Sequence, residues 1–229
     1  VFAESSTASE DAALAAAIAA GPPVVLAALR EKTESSQSTV WSEVLPLPQL
    51  RQAGADVGQV QVTPDDDFVV RRVPAGTDGW AQRLLARAGW TAAEGASDAG
   101  WIAYAGPRGT FDTRSYYQAL EPGLLPAGYF RDKVVLVGRA VRTDAELSGS
   151  HADMFNSPFS VADGGDRLIP GVEIQANLMA NLRAGAGLRA ASPWGVVWSV
   201  LGLCGLLAFV GARWHPAWAA ALALVGAGS

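Results

Sequence analysis

Residues 128–138 read GYFRDKVVLVG, residues 151–160 read HADMFNSPFS and residues 169–183 read IPGVEIQANLMANLR. The reading of this stretch, Gly128 to Arg183, decides the fold. Val134, Val135, Leu136 and Val137 form an unbroken apolar run closed by Gly138. A run with no polar face predicts a central strand covered on both sides. Pro170 and Gly171 punctuate the start of a helix in which Ile174, Leu178 and Leu182 recur every four residues. Glu173, Asn177 and Asn181 form the neighbouring polar row. Strand, polar loop and returning helix make an α/β unit whose loop lies at the carboxyl end of the strand, where open α/β sheets usually place ligands.

Outward from this stretch, the C-terminal part has a different character. Pro193 to Ala212, PWGVVWSVLGLCGLLAFVGA, is a run of 20 residues without a charge. As a helix it spans about 30 Å, the thickness of a bilayer core. Trp194, Trp198 and Trp214 flank it as interfacial aromatics do. A second apolar run, residues 217–229, is too short to span and reads as the start of a second transmembrane helix. Arg183 and Arg189 precede the first span and Arg213 follows it, so charge alone leaves the orientation open.

Residues 1–190 are enough for one domain with its own core. The net charge of −5 disfavours nucleic acid as a partner. The single cysteine, Cys204, lies in the apolar span, so no disulfide and no cysteine-based zinc site is available.

In chain order, Ser9 is the expected cap of an Ala-rich helix to Ala20, and Val24 to Leu29 an apolar strand. Residues 31–43 are polar and read as a surface loop; Pro46 to Ala53 reads as a short helix. Val57–Val62 and Phe68–Val73, separated by Pro64-Asp65-Asp66-Asp67, predict a hairpin. Trp80 to Ala88 is a helix stopped by Gly89, residues 101–104 a strand, and Ser115 the cap of another short helix. The expected fold is a mixed α/β domain. Its sheet is built on residues 24–29, 101–104 and 134–137 with the 57–73 hairpin at an edge, and transmembrane helix follows.

The order of these short motifs resembles the CHASE2 domain, an extracytoplasmic sensory domain of bacterial transmembrane receptors. The resemblance rests on Gly138 after the apolar strand, Asp153 before Ser157-Pro158, Pro170-Gly171-Val172-Glu173, and Ala176-Asn177. EDAALAAAIAAGPPVVLAALR and IAYAGPRGTFDTRSYYQAL add to it, so that it covers roughly residues 9 to 190. Asp65, Asp67, Arg71 and Arg72 match a further family element, but Phe68 stands where the family usually has glycine. The resemblance implies an extracytoplasmic domain on the bacterial inner membrane that detects a stimulus. It passes the signal through membrane helices to a cyclase, diguanylate cyclase or kinase output that this chain does not contain. The expected partners are the lipid bilayer, a small-molecule or protein stimulus, a second copy in a homodimer and that effector in cis.

Asp153, Glu173, Asn177 and His151 are the candidate ligand-binding residues, grouped around the loop at the strand's end. Each has a structural alternative. Glu173 suits a helix N-terminus, Asn177 can tie down a loop, and His151 and Asp153 suit a solvated loop. A metal site would need more ligands than this loop offers, so no metal or cofactor is expected. Gly138 is followed by Arg139-Ala140-Val141 rather than a phosphate-cradling glycine pattern. Asp163-Gly164-Gly165-Asp166 continues as Arg167-Leu168, unlike the diguanylate-cyclase motif. No serine sits in a nucleophile elbow, and a non-enzymatic chain is expected. A membrane-anchored assembly module without a small-molecule ligand remains the alternative. Coupling to the span runs through Ala184–Ser192, where Gly185 and Gly187 read as a soft joint.

Overall fold

The computed structural model describes residues 2–34, 39–74, 76, 78–96, 100–140, 153–159, 168–189 and 191–213; of these, the side chains of 31–34, 39–41, 212 and 213 are not considered. Two compact units emerge, Val1–Leu188 and Arg189–Ser229.

The first unit is α/β. Helix α1 (Ala8–Ala20) starts at Thr7, not Ser9, because the Thr7 hydroxyl accepts the Glu10 N–H at 3.2 Å. Strand β1 (Val25–Glu34) pairs antiparallel with β2 (Thr39–Val44), so the polar run expected to be a loop is largely a ribbon. The apolar half of β1, Val25 to Ala28, pairs parallel with β3 (Asp56–Gln59) after the short helix α2 (Pro48–Gln52). The sheet order is β2-β1-β3. The expected 57–73 hairpin is therefore absent: residues 56–59 are claimed by β1, whose apolar residues Val25 and Leu26 are buried on pairing with them. Leu26, Leu50 and Ala55 form a small core under α1, which packs with Leu14 and Ile18.

Helix α3 (Trp80–Arg87) lies on β1 and β3. It can do so because residue 58 is glycine: a Cβ there would sit 2.5 Å from the Trp80 Cα. The Trp80 indole N–H donates to the Val25 carbonyl at 2.9 Å, a buried bond fixing helix to strand. Helix α4 (Tyr116–Leu120) begins at Ser115, whose N–H donates to the Gln118 side chain at 3.0 Å; it buries no residue. Strands β4 (Met154–Asn156) and β5 (Leu168–Pro170) form a two-stranded antiparallel sheet leading into α5 (Gly171–Ala184). Ile174, Leu178, Met179 and Leu182 of α5 meet Ala81 and Leu85 of α3, with Val70, Ile102 and Ile169, in the main core.

Two expected central strands take other forms. Residues 134–137 belong to no assigned strand. Val134 and Leu136 are half-buried, but Val135 and Val137 are 47% and 69% exposed. Gly138 is pressed on α5, where an added Cβ would lie 2.5 Å from the Val172 Cβ. An apolar run of four does not by itself specify two covering layers. Residues 101–104 shrink to two isolated bridges at Trp101, because helix side chains occupy the hydrogen-bonding groups beyond it.

In the second unit α6 (Pro193–Arg213) is a single helix, and its Pro193–Gly211 portion is long and apolar enough to cross a membrane. The architecture is thus a mixed sheet with flanking helices followed by an apolar C-terminal helix. The apolar run at 217–229 lies outside the described residues.

Candidate functional site

Helix α5 is the centre of the first unit, and its polar row is buried with its apolar one. Glu173, Gln175, Asn177 and Asn181 are all buried. Each is matched to main-chain groups, as burial of such side chains requires. The Glu173 Oε1 accepts the Gly109 N–H at 2.8 Å. The Asn177 Oδ1 accepts the Ala105 N–H at 2.9 Å while its Nδ2 donates to the Glu173 carbonyl at 2.9 Å. Asn181 accepts from the Ala103 N–H at 2.7 Å and donates to the Ala103 carbonyl at 2.8 Å. The four-residue spacing places 173, 177 and 181 in one file along the helix. That file acts as the partner strand that residues 103–109 lack. Gln175, on another side of the helix, donates to the Val60 carbonyl at 2.9 Å.

Both ends of α5 are held. At the start, the Gly171 N–H donates to the Asp153 carbonyl at 2.7 Å. At the end, Gly185 adopts φ +63° and caps the helix, the Ala93 N–H donates to the Leu182 carbonyl at 2.9 Å, and the Arg183 guanidinium lies 3.9 Å from the Trp90 ring centre. Gly185 is therefore a helix terminator in a glycine-favouring conformation.

A second polar constellation closes the turn after β3. Arg71 grips Asp67 with both Nη atoms, at 2.7 and 2.6 Å, and its Nη1 also reaches Asp65 at 3.3 Å. Arg72 Nε donates to Asp65 at 2.9 Å. The Arg71 hydrogen bond holds the Asp67 carboxyl down at about 2, and Asp67 in turn raises the Arg71 guanidinium further above its ordinary value. Phe68 at the tip has φ +63°, the left-handed conformation that glycine adopts freely. Phe68 thus occupies a place whose backbone suits glycine. An open groove of about 430 Å³ runs along residues 63–67, Arg71 and Arg72.

Of the residues picked out in the sequence, Glu173 and Asn177 come together along one file of α5. Asp153 contributes its carbonyl to the helix start and leaves its side chain exposed. His151 lies outside the described residues, as do Ser150 and the run 163–166. Among the described residues no group of three or more His, Cys, Asp or Glu side chains could hold a metal. Sequence reasoning left Gln175 aside and gave Asn181 no role. The signal for the latter was present: a polar residue at 173, 177 and 181 on a helix that apolar residues also demand be buried.

The chain thus combines an α/β unit organised on one buried helix with an apolar helix long enough to cross a membrane. A family model described as the CHASE2 domain matches residues 1–212, and the chain belongs to that family of extracytoplasmic sensory domains. No curated protein and no solved structure matches it.

Proposed function

We propose that the chain is the sensory part of a bacterial receptor anchored in the inner membrane by α6. Its α/β unit lies outside the cytoplasm, and an effector beyond this chain reads the signal. The observation that carries this reading is the extent of the family match, which takes in both the α/β unit and most of α6. In this reading the chain itself catalyses nothing. Glu173 and Asn177 serve the stimulus indirectly, by holding residues 103–109 in place, while Asp153 meets the start of α5 through its carbonyl. Binding that moves residues 103–109 shifts the balance of α5 contacts and so the chain leading to the membrane.

A second reading is favoured by one specific feature. Tyr116, Tyr117, Leu120, Leu124 and Phe130 are all exposed on the α4 region. Such a cluster suits a protein partner, including a second copy of the chain, better than a small molecule.

The test uses the full chain in lipid nanodiscs. Native mass spectrometry looks for a co-purified ligand, and a thermal-shift screen of metabolites and ions looks for stabilisation. A bound species whose stabilisation is lost in Asp153→Ala makes the chain a direct ligand sensor. No ligand with a dimer in the same spectrum supports the assembly reading. Placement is checked in cells with Thr113→Cys in a Cys204→Ser background. Labelling by a membrane-impermeant maleimide in intact spheroplasts is expected; labelling only after lysis overturns the extracytoplasmic placement.

A further inference from the structure

Trp101 sits in the middle of a narrow ladder that no single secondary-structure element contains. On one side it is bridged antiparallel to Arg72: the Ile102 N–H donates to the Arg71 carbonyl at 2.7 Å, and the Val73 N–H donates to the Gly100 carbonyl at 3.2 Å. On the other side it is bridged antiparallel to Leu188. The Trp101 N–H donates to the Leu188 carbonyl at 3.0 Å, and the Leu188 N–H donates to the Trp101 carbonyl at 2.9 Å. Leu188 is the last residue of the first compact unit, five positions before α6 begins at Pro193.

We propose that Arg71–Val73, Gly100–Ile102 and Leu188 form a relay that ties the Asp65–Arg72 turn to the exit of the chain toward the apolar helix. The two ends differ in character. The turn is clamped by the Arg71 fork on Asp67 and carries exposed Phe68 in a left-handed conformation, so an alternative turn geometry relieves backbone strain. At the exit two backbone bonds join Trp101 and Leu188, and both side chains, Trp101 at 40% and Leu188 at 56%, are exposed. A two-bond pairing with little apolar cover is of the low-stability kind that opens locally. Rearrangement of the turn displaces the carbonyl of Arg71 and with it the register of residues 100–102. The Trp101–Leu188 pair then separates, releasing the chain that leads into α6. Use of this relay for signalling rests on the receptor reading above; the relay itself does not.

The test is hydrogen exchange on the full chain in lipid nanodiscs, following peptides that cover residues 65–73, 100–102 and 186–189. Asp67→Ala and Arg71→Ala each remove the fork, and Asp67→Ala leaves Arg71 its contact with Asp65, which guards against misfolding. Arg87→Ala removes the remote pairing of Arg87 with Asp56, 3.1 Å apart, and serves as the control. The relay predicts exchange at Leu188 faster by about tenfold in both turn variants and unchanged in the control, as expected of a local opening equilibrium. Faster exchange in the turn without change at Leu188, or an equal rise in all three variants, overturns it. A second measurement uses Trp101→Cys with Leu188→Cys in a Cys204→Ser background. A pair that exchanges both hydrogen bonds has a Cα separation of about 5.5 Å, within disulfide reach. Crosslinking under mild oxidation supports the bridge, and reactive but uncrosslinked thiols refute it. Neither readout needs a stimulus, so loss of the receptor reading leaves a positive relay result standing, and loss of the relay leaves the receptor reading to another route.

Discussion

The side chain of Asn181 and the main chain of Ala103 exchange two hydrogen bonds, 2.7 Å from the Ala103 N–H and 2.8 Å to its carbonyl. A helix side chain thereby does what an adjacent strand does elsewhere in a sheet. Asn181→Leu leaves both groups of Ala103 without partners in a partly buried place, at a cost of about 1–3 kcal/mol for each unsatisfied group. Denaturant unfolding of the full chain is expected to show a loss of about 2–4 kcal/mol. The Ala103 amide should lose protection from exchange in proportion. Asn181→Asp sets a carboxylate oxygen against the Ala103 carbonyl in a buried place, so it is expected to be at least as destabilising at neutral pH and to recover in part as the carboxyl protonates.

Phe68 holds φ +63° with its side chain exposed. An L-residue in the left-handed region costs about 1–2 kcal/mol, and glycine gives back about 0.5–1 kcal/mol of that through its freer unfolded state. Phe68→Gly is therefore expected to stabilise the domain by about 0.5–1 kcal/mol. An unchanged or lower Tm refutes the strain argument.

Asp67 carries a pH signature. Its carboxyl is held at about 2 in the folded chain against an ordinary 3.8, chiefly by the hydrogen bond from Arg71. A group whose folded value is depressed contributes fully above its unfolded value and loses that contribution as pH falls toward the folded one. The Asp67–Arg71 pairing thus stands at neutral pH and is lost between about pH 4 and pH 2. Asp67→Asn is expected to melt below the parent chain at pH 5, and the two melting temperatures should converge toward pH 2. Asp67 is more than half exposed, so the gap is expected to narrow in high salt.

Gly185 ends α5 at φ +63°, and an added Cβ would meet the Ala93 Cβ at 3.0 Å. Gly185→Ala is expected to cost about 1 kcal/mol, or about 2–4 °C in Tm. An unchanged Tm by calorimetry refutes the capping role.

Much of this protein was legible in the chain. The helices at 80–87 and 171–184 follow from apolar recurrence, the first with Gly89 as its stop and the second opened by Pro170 and Gly171. The apolar helix at 193–213 follows from its length without charge. The order of short motifs was specific enough to indicate the family that the match over residues 1–212 then showed. Pairing was not legible. Val57 and Val70 both sit in strand-like sequence, yet residues 56–59 pair with β1 while Val70 sends its N–H to Asn156 at 3.2 Å.

What the sequence determined by itself is what depends on near neighbours: helix periods, the cap at Ser115, the stop at Gly89 and a span's length. The tertiary structure alone decided where hydrogen bonds between distant segments go. Glu173 and Asn177 read in the sequence either as a ligand face or as a helix-entry carboxylate and a loop tether, and Asn181 had no role. Only the approach of residues 103–109, far away in the chain, turns that file inward and closes it on main-chain groups. The physical reason is that a buried polar side chain must find a partner, but its sequence position does not say which one.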